Sequence, residues 1–155
     1  MENTALPRVD ELATVVPAER AEVWRALGEV LGRAFAGRGW ARYARLVGAD
    51  ERTASGPWPL AAGATLAGFR VAEVVPDRRL VLVGGHRFAS YSLAFRLDEA
   101  GPGRTRLSAE TRAVFPGRAG TLYRALVIGT GGHRVLVLRM LAGVRRCARA
   151  GRSGG

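Results

Sequence analysis

The sequence predicts an α+β protein in which a curved antiparallel β-sheet wraps around a long C-terminal α-helix. Three observations carry that expectation. From Ala119 to Arg149 there is no proline and no acidic residue, and Leu122, Leu126, Gly129, His133, Leu136, Met140 and Val144 recur in steps of three or four. That spacing puts them on one helical stripe, with Arg124, Arg134, Arg145 and Arg149 opposite. From Arg42 to Val114 the period changes to two, the mark of strands with one wet and one dry face. Ahead of that region lies a shorter segment of helical period. A basic helix of about eight turns, roughly 45 Å long at ~1.5 Å per residue, needs a long curved surface to cover, and the sheet supplies it.

The elements follow in chain order. Val9 to Val16 alternates weakly between Pro7 and Pro17 and reads as a first strand. Pro17 suits the first position of a helix, and Glu19 and Glu22 lie in its opening turns, where the helix dipole favours negative charge. Val23, Leu27, Val30 and Leu31 form the buried side, Gly28 and Gly32 divide the segment into two short helices, and Phe35 closes it. Residues 36–40 are a loop. Tyr43 to Val47 is a short strand, and residues 55–63, with Pro57 and Pro59 around Trp58, are irregular. Thr65 to Val75 is one strand with Phe69, Val71, Glu73 and Val75 on one side. A turn at Pro76-Asp77-Arg78 leads to Leu80–Val83, which ends at Gly84-Gly85. Ser90 to Asp98 places Tyr91, Leu93, Phe95 and Leu97 on the dry face. After Gly101-Pro102-Gly103, Arg104 to Phe115 does the same with Leu107, Ala109 and Ala113. Short loops make neighbours pair. The expected domain is residues 8–150, with 1–7 and 151–155 as flexible termini.

Composition narrows the function classes. At 155 residues and 48% hydrophobic content the chain can bury a substantial core. The one cysteine, Cys147, excludes an internal disulfide framework, so a reducing, cytoplasmic setting is expected. No run reaches the ~18 apolar residues of a membrane span, and the first ten residues lack the apolar core of a signal peptide. The formal charge is +11, and all 24 basic residues are arginine, a bias of composition that weakens the case for selection by a polyanion. Their distribution is uneven: residues 111–155 hold 9 arginines and no acid. Such a face can attract anionic lipid or nucleic acid. A solvated helix face explains it more simply, so nucleic acid is disfavoured as a partner and peripheral contact with anionic lipid is retained.

Three stretches carry a resemblance. Val16-Pro17-Ala18-Glu19-Arg20-Ala21-Glu22-Val23-Trp24, Gly68-Phe69-Arg70-Val71-Ala72-Glu73-Val74 and Leu122-Tyr123-Arg124-Ala125-Leu126-Val127-Ile128-Gly129 resemble small bacterial members of the helix-grip START and Bet v 1-like superfamily, the polyketide cyclase/dehydrase and lipid-transport group. With the order of elements, the resemblance covers about residues 8–150. It implies an elongated cavity between sheet and final helix that takes hydrophobic or amphipathic ligands. It implies no particular reaction, since the motifs are structural.

Within that frame the candidate ligand-binding residues are His133, Leu126, Gly129, Leu136 and Met140 on the helix stripe, Tyr91, Leu93 and Phe95 on the dry face, and His86 and Arg87 at a strand end. A histidine on that stripe points into the cavity, where it can exchange a proton near neutrality or orient a polar head group; the plainer alternative is a half-buried histidine bonded to a backbone carbonyl. His86, Arg87 and Tyr91 at a cavity mouth suit a carboxylate or enolate, or form an ordinary surface hairpin. Trp40, Trp58 and Tyr43 are rim aromatics or packing. Gly129-Thr130-Gly131-Gly132 fits neither a dinucleotide loop nor a Walker A loop. Its three glycines cost a helix ~3 kcal/mol relative to alanine, yet the apolar register continues across them, so a continuous or mildly kinked helix is expected.

No catalytic residue is identified. There is no H-E-x-x-H, C-x-x-C or G-x-S-x-G pattern and no close acid pair, so no metal site and no cofactor are expected. Cys147 reads as packing. The leading expectation is therefore a binder of a small hydrophobic or amphipathic molecule. The alternatives are a cyclase- or dehydratase-like enzyme using His133 or His86, and an interaction module using the basic face of the last helix on anionic lipid or RNA.

Overall fold

A computed structural model describes residues 6–35, 42, 46, 48, 64–66 and 69–153. Among these described residues the centre is a six-stranded sheet of order β1-β6-β5-β4-β3-β2, antiparallel throughout. The strands are β1 (Arg8–Val16), β2 (Thr65–Leu66), β3 (Phe69–Val75), β4 (Arg79–His86), β5 (Ala89–Glu99) and β6 (Thr105–Val114). Helix α1 (Arg20–Phe35) follows β1; α2 (Gly117–Arg124), a π turn (Ala125–Gly129) and α3 (Gly132–Ser153) close the chain. The antiparallel order of β3 to β6 is the one the alternation predicts.

The dry face is built row by row. Leu97 pairs with Leu107; Phe95 lies between Leu80 and Ala109, which pairs with Leu12; Leu93 lies between Leu82 and Thr111. Against it α3 sets Val137, Met140, Leu141, Val144 and Ala148, and α1 sets Val23, Ala26, Leu27 and Leu31, all in one cluster of buried side chains. Each fully buried leucine or phenylalanine there contributes about 1.5–3 kcal/mol by leaving water. Deep in the same layer the Thr105 hydroxyl donates to the Ala18 carbonyl (2.8 Å), tying β6 to the turn that opens α1.

Several expectations are corrected. Gly28 and Gly32 do not divide α1, which runs unbroken for 16 residues because its apolar side docks on α3 and the sheet; helical backbone recurs at Arg42 and Leu46. Tertiary packing overrides the weak propensity of two glycines. Most of the strand expected at 43–47 lies outside the described residues, as do the loop at 36–40, the irregular stretch at 55–63 and the aromatics Trp40, Tyr43 and Trp58. The described Leu46 is helical rather than extended.

The run from Thr65 to Val75 is a small hairpin, not one strand, with Leu66 paired to Phe69. A bulge between Val71 and Glu73 then turns Val74 rather than Glu73 toward the core, leaving Val75 exposed. One extra residue in a strand reverses every later side chain. β4 continues through Gly84 and Gly85 to His86.

The last helix is broken, not continuous. Gly131 adopts φ +79°, and the segments on either side of the break are bent by 48°. The amide of Gly131 bonds back to the Ile128 carbonyl, and the Thr130 hydroxyl bonds to the Leu126 carbonyl, so the severed turn satisfies its own polar groups. The π turn and the break rotate the stripe. The face of α3 on the sheet carries His133, Val137, Met140, Leu141, Val144 and Ala148, whereas Leu126, Gly129 and Leu136 are exposed. Arg124, Arg134, Arg145 and Arg149 do face outward.

Candidate functional site

The dry rows end at Leu93 and Thr111. Beyond them, toward the β4–β5 hairpin, the same face turns polar and aromatic. Two groups of side chains gather there.

The first forms around His133, in the opening turn of α3. Its Nε2 shares a 3.0 Å hydrogen bond with Oγ1 of Thr111 on β6 and lies 3.6 Å from Oδ1 of Asp10 on β1. Strand pairing explains the meeting. β1 and β6 set Asp10 opposite Thr111, two residues beyond Leu12 opposite Ala109, so both polar groups project from the dry face. His133 is 18% exposed. Asp10 Oδ1 is buried with no hydrogen-bond partner among the described residues. A carboxylate oxygen at that distance favours the imidazole tautomer that carries its proton on Nε2, leaving Nδ1 as the ring's acceptor. The sequence expectation thus finds His133 on the interior side, bonded to a side chain rather than to a backbone carbonyl.

The second group closes the hairpin end. Tyr91 pairs across the ladder with Gly84, and its ring meets Phe69 at 5.2 Å and His86 at 5.5 Å between centroids. Tyr123 of α2 caps the cluster, edge-on to His86 at 4.8 Å and stacked on Phe88 at 5.5 Å. The Phe88 amide donates to His86 Nδ1 (3.1 Å), which puts the ring proton of a neutral His86 on Nε2. His86 and Tyr91 are therefore brought together. Arg87 sits exposed at the hairpin tip, against Gly48, whose positive φ and lack of Cβ let the two approach.

The remaining candidates separate. Leu93 and Phe95 are buried in the core cluster. Leu126 and Gly129 lie on the outer surface of the π turn, and nothing comes within 4 Å of a Cβ placed on Gly129. Leu136 and Met140 line an open groove of about 670 Å³ between α1 and α3, floored also by Val30 and Gly143 and rimmed by Arg25, Arg33, Arg139 and Arg146. In its wall the Cys147 thiol donates to Glu29 Oε2 (2.9 Å). Burial, then that carboxylate, pushes the thiol's pKa up, and the thiol's hydrogen bond holds Glu29 below the usual carboxylate range. Among the described residues no cluster of three or more His, Cys, Asp or Glu could hold a metal ion.

Sequence reasoning missed Asp10, Thr111, Phe88 and Tyr123. Asp10 has a signal, because it shares the even-numbered face of its strand with Leu12 and Val16. Its neighbours depend on pairing register, which one strand does not encode.

No family model matches the sequence, and no curated protein is similar to it in sequence. The fold is shared with solved structures. The Zhui aromatase/cyclase from Streptomyces sp. R1128 superposes with a TM-score of 0.57 at 17% identity, over 97% of this chain and 98% of that one. TTHA0849 from Thermus thermophilus does so with a TM-score of 0.57 at 16% identity, over 94% and 99%. DynU16, a protein in the dynemicin biosynthetic locus, has a TM-score of 0.52 at 20% identity over 91% of this chain, which spans about half, 47%, of that one. At such identities the likeness establishes the helix-grip architecture and leaves the chemistry to the residues of this chain.

Proposed function

We propose that this helix-grip protein binds a small hydrophobic or amphipathic molecule at the polar end of its concave face, between the sheet and the start of α3. The apolar body of the ligand lies toward Tyr91 and Leu93, and its polar head meets Asp10, Thr111 and His133. The observation that carries this reading is the orphaned Asp10 Oδ1, buried beside His133 where the dry rows end. A buried carboxylate oxygen is costly until something donates to it. A ligand hydroxyl supplies the missing hydrogen bond, so the preferred ligand is an apolar molecule bearing a hydroxyl donor. One protein of this fold is an aromatase/cyclase, which makes phenolic ring compounds the first class to test.

The experiment compares naphthol with its methyl ether by calorimetric titration. Naphthol is expected to bind about tenfold more tightly, ~1.4 kcal/mol, the worth of a hydrogen bond to a charged acceptor. The advantage should vanish in Asp10→Ala, and His133→Ala should weaken both probes. Equal affinity of the two probes for the native chain, or no binding of either with a clean apo mass in native mass spectrometry, removes the proposal.

The same pair favours a second reading. A carboxylate beside an imidazole that keeps one nitrogen as acceptor is the arrangement of a general base with its orienting group. It suits a cyclase- or dehydratase-like enolisation, with Nδ1 of His133 taking a proton α to a carbonyl. Deuterium exchange into a β-diketone, followed by NMR, should then be accelerated by the native chain and not by His133→Ala. Equal exchange with both sinks this reading and leaves the binding one standing.

A further inference from the structure

We propose that the arm formed by α2 and the π turn docks on anionic lipid bilayers, seating Leu122 and Leu126 among the acyl chains while Arg118, one turn before Leu122, meets the phosphate headgroups. The arm has two unlike sides. Gly120 and Tyr123 hold it to the sheet end: a Cβ on Gly120 would lie 2.6 Å from the Phe115 backbone, and Tyr123 packs on His86 and Phe88. Residues 118, 122, 125, 126 and 129, on the other side, are all exposed. Leu122 is 63% and Leu126 61% exposed.

These leucines are part of a local concentration. Of the nine exposed large hydrophobics among the described residues, five fall between Leu122 and Leu138. The charge there is of one sign, because no acid follows Glu110. Among the described residues Arg118 has no ion-pair partner.

Charge complementarity selects the occupant. A second copy would set two all-positive arms against each other. A nucleic acid would take the arginines and offer nothing to aliphatic leucines. An anionic bilayer receives both, with apolar side chains at the acyl boundary and guanidinium groups at the phosphates. No single helix among the described residues is long and apolar enough to cross a membrane, so the contact is peripheral. Because Tyr123 joins the arm to the hairpin end, docking would bring that end to the bilayer. This consequence rests on the ligand-binding proposal; the docking itself does not.

The test is flotation of the full chain with phosphatidylcholine vesicles, with and without phosphatidylglycerol. The native chain should float with the anionic vesicles and far less with the neutral ones. Leu122→Gln/Leu126→Gln, which keeps net charge and helix propensity, should lower partitioning about tenfold or more. Val15→Gln, at an exposed valine on β1, should leave it unchanged. If the leucine variant melts early, Arg118→Gln replaces it, with an expected loss of about fivefold. Three results overturn the proposal: no flotation with anionic vesicles, flotation of the leucine variant at the native level, or self-association through the leucines in place of flotation. The measurement uses no ligand, so a chain that floats but binds neither naphthol probe separates docking from the binding site.

Discussion

Cys147 is held as a thiol by its surroundings. Its Sγ donates to Glu29 Oε2, and Glu29 in turn lies between Arg25 at 2.9 Å and Arg33 at 3.6 Å. Burial is the first cause of the raised thiol, and the hydrogen bond adds to it while lowering Glu29, because that bond exists only while the sulfur keeps its proton and the carboxylate has lost its own. Alkylation by iodoacetamide needs the thiolate, so its rate should rise with pH around a midpoint above that of an ordinary cysteine. In Glu29→Gln the anionic acceptor is gone, the thiol pKa falls toward its usual value, and alkylation near neutrality should accelerate by several-fold. A slower or unchanged rate in the variant would mean that burial alone governs the thiol. The expectation that Cys147 is packing agrees with where it lies, since it is half-buried against the core cluster. Its partner was not legible, because Glu29 is 118 residues away and reaches it only once α1 lies on α3. Asp10 and His133 make the same point. Each falls on an identifiable face of its own element, but their separation is a property of register between elements.

At the scale of elements, the last helix separates what pattern reveals from what it hides. The basic outer face and the apolar steps were legible between Ala119 and Arg149, but Leu122, Leu126 and Leu136 of that stripe are exposed rather than buried. The break was not, because one residue at φ +79° ends a helix without altering the spacing of apolar residues on either side. The bulge at Val71/Glu73 escaped for a like reason: alternation over seven residues reads equally well from either end. The glycines of this region give opposed predictions. Gly129 has helical geometry and open space around its absent side chain. Gly129→Ala should therefore raise stability by about 0.5–1 kcal/mol by restricting the unfolded chain. Gly120→Ala drives a methyl into the Phe115 backbone at 2.6 Å, and into its carbonyl oxygen at 2.9 Å. A loss of about 1–3 kcal/mol is expected, because backbone cannot move aside as a side-chain end does. Urea denaturation of the two variants checks both signs, and a stabilised Gly120→Ala would show that α2 is not anchored against the Phe115 and Phe88 backbone.

For the whole molecule, the question is whether its charges hold it together or push it apart. On the convex face of the sheet arginines are matched locally: Arg96 with Asp98 at 3.1 Å, Arg112 with Glu110 at 2.6 Å and Arg79 with Glu73 at 3.5 Å. The Arg96–Asp98 pair is substantially solvated and the other two are partly buried, so water screens the first most and it contributes at most about 0–1 kcal/mol. They cover Ser92, Ala94 and Ser108, small buried residues that let the long side chains lie flat on the sheet. The C-terminal third holds no acid of its own to match them, with 9 arginines over residues 111–155. The sequence made this imbalance plain, and the helices keep it in one region by turning Arg124, Arg134, Arg145 and Arg149 outward. Salt weakens both terms, but the repulsion acts over a Debye length of about 30 Å at 0.01 M and about 8 Å at 0.15 M, whereas the pairs act at contact. Relief of repulsion should therefore win. Added sodium chloride is expected to raise the thermal midpoint by a few degrees, most of it gained below about 0.15 M, as followed by circular dichroism. A midpoint that falls over the same range would mean that the convex-face pairs outweigh the charged helices, and that the net charge of +11 costs the fold little.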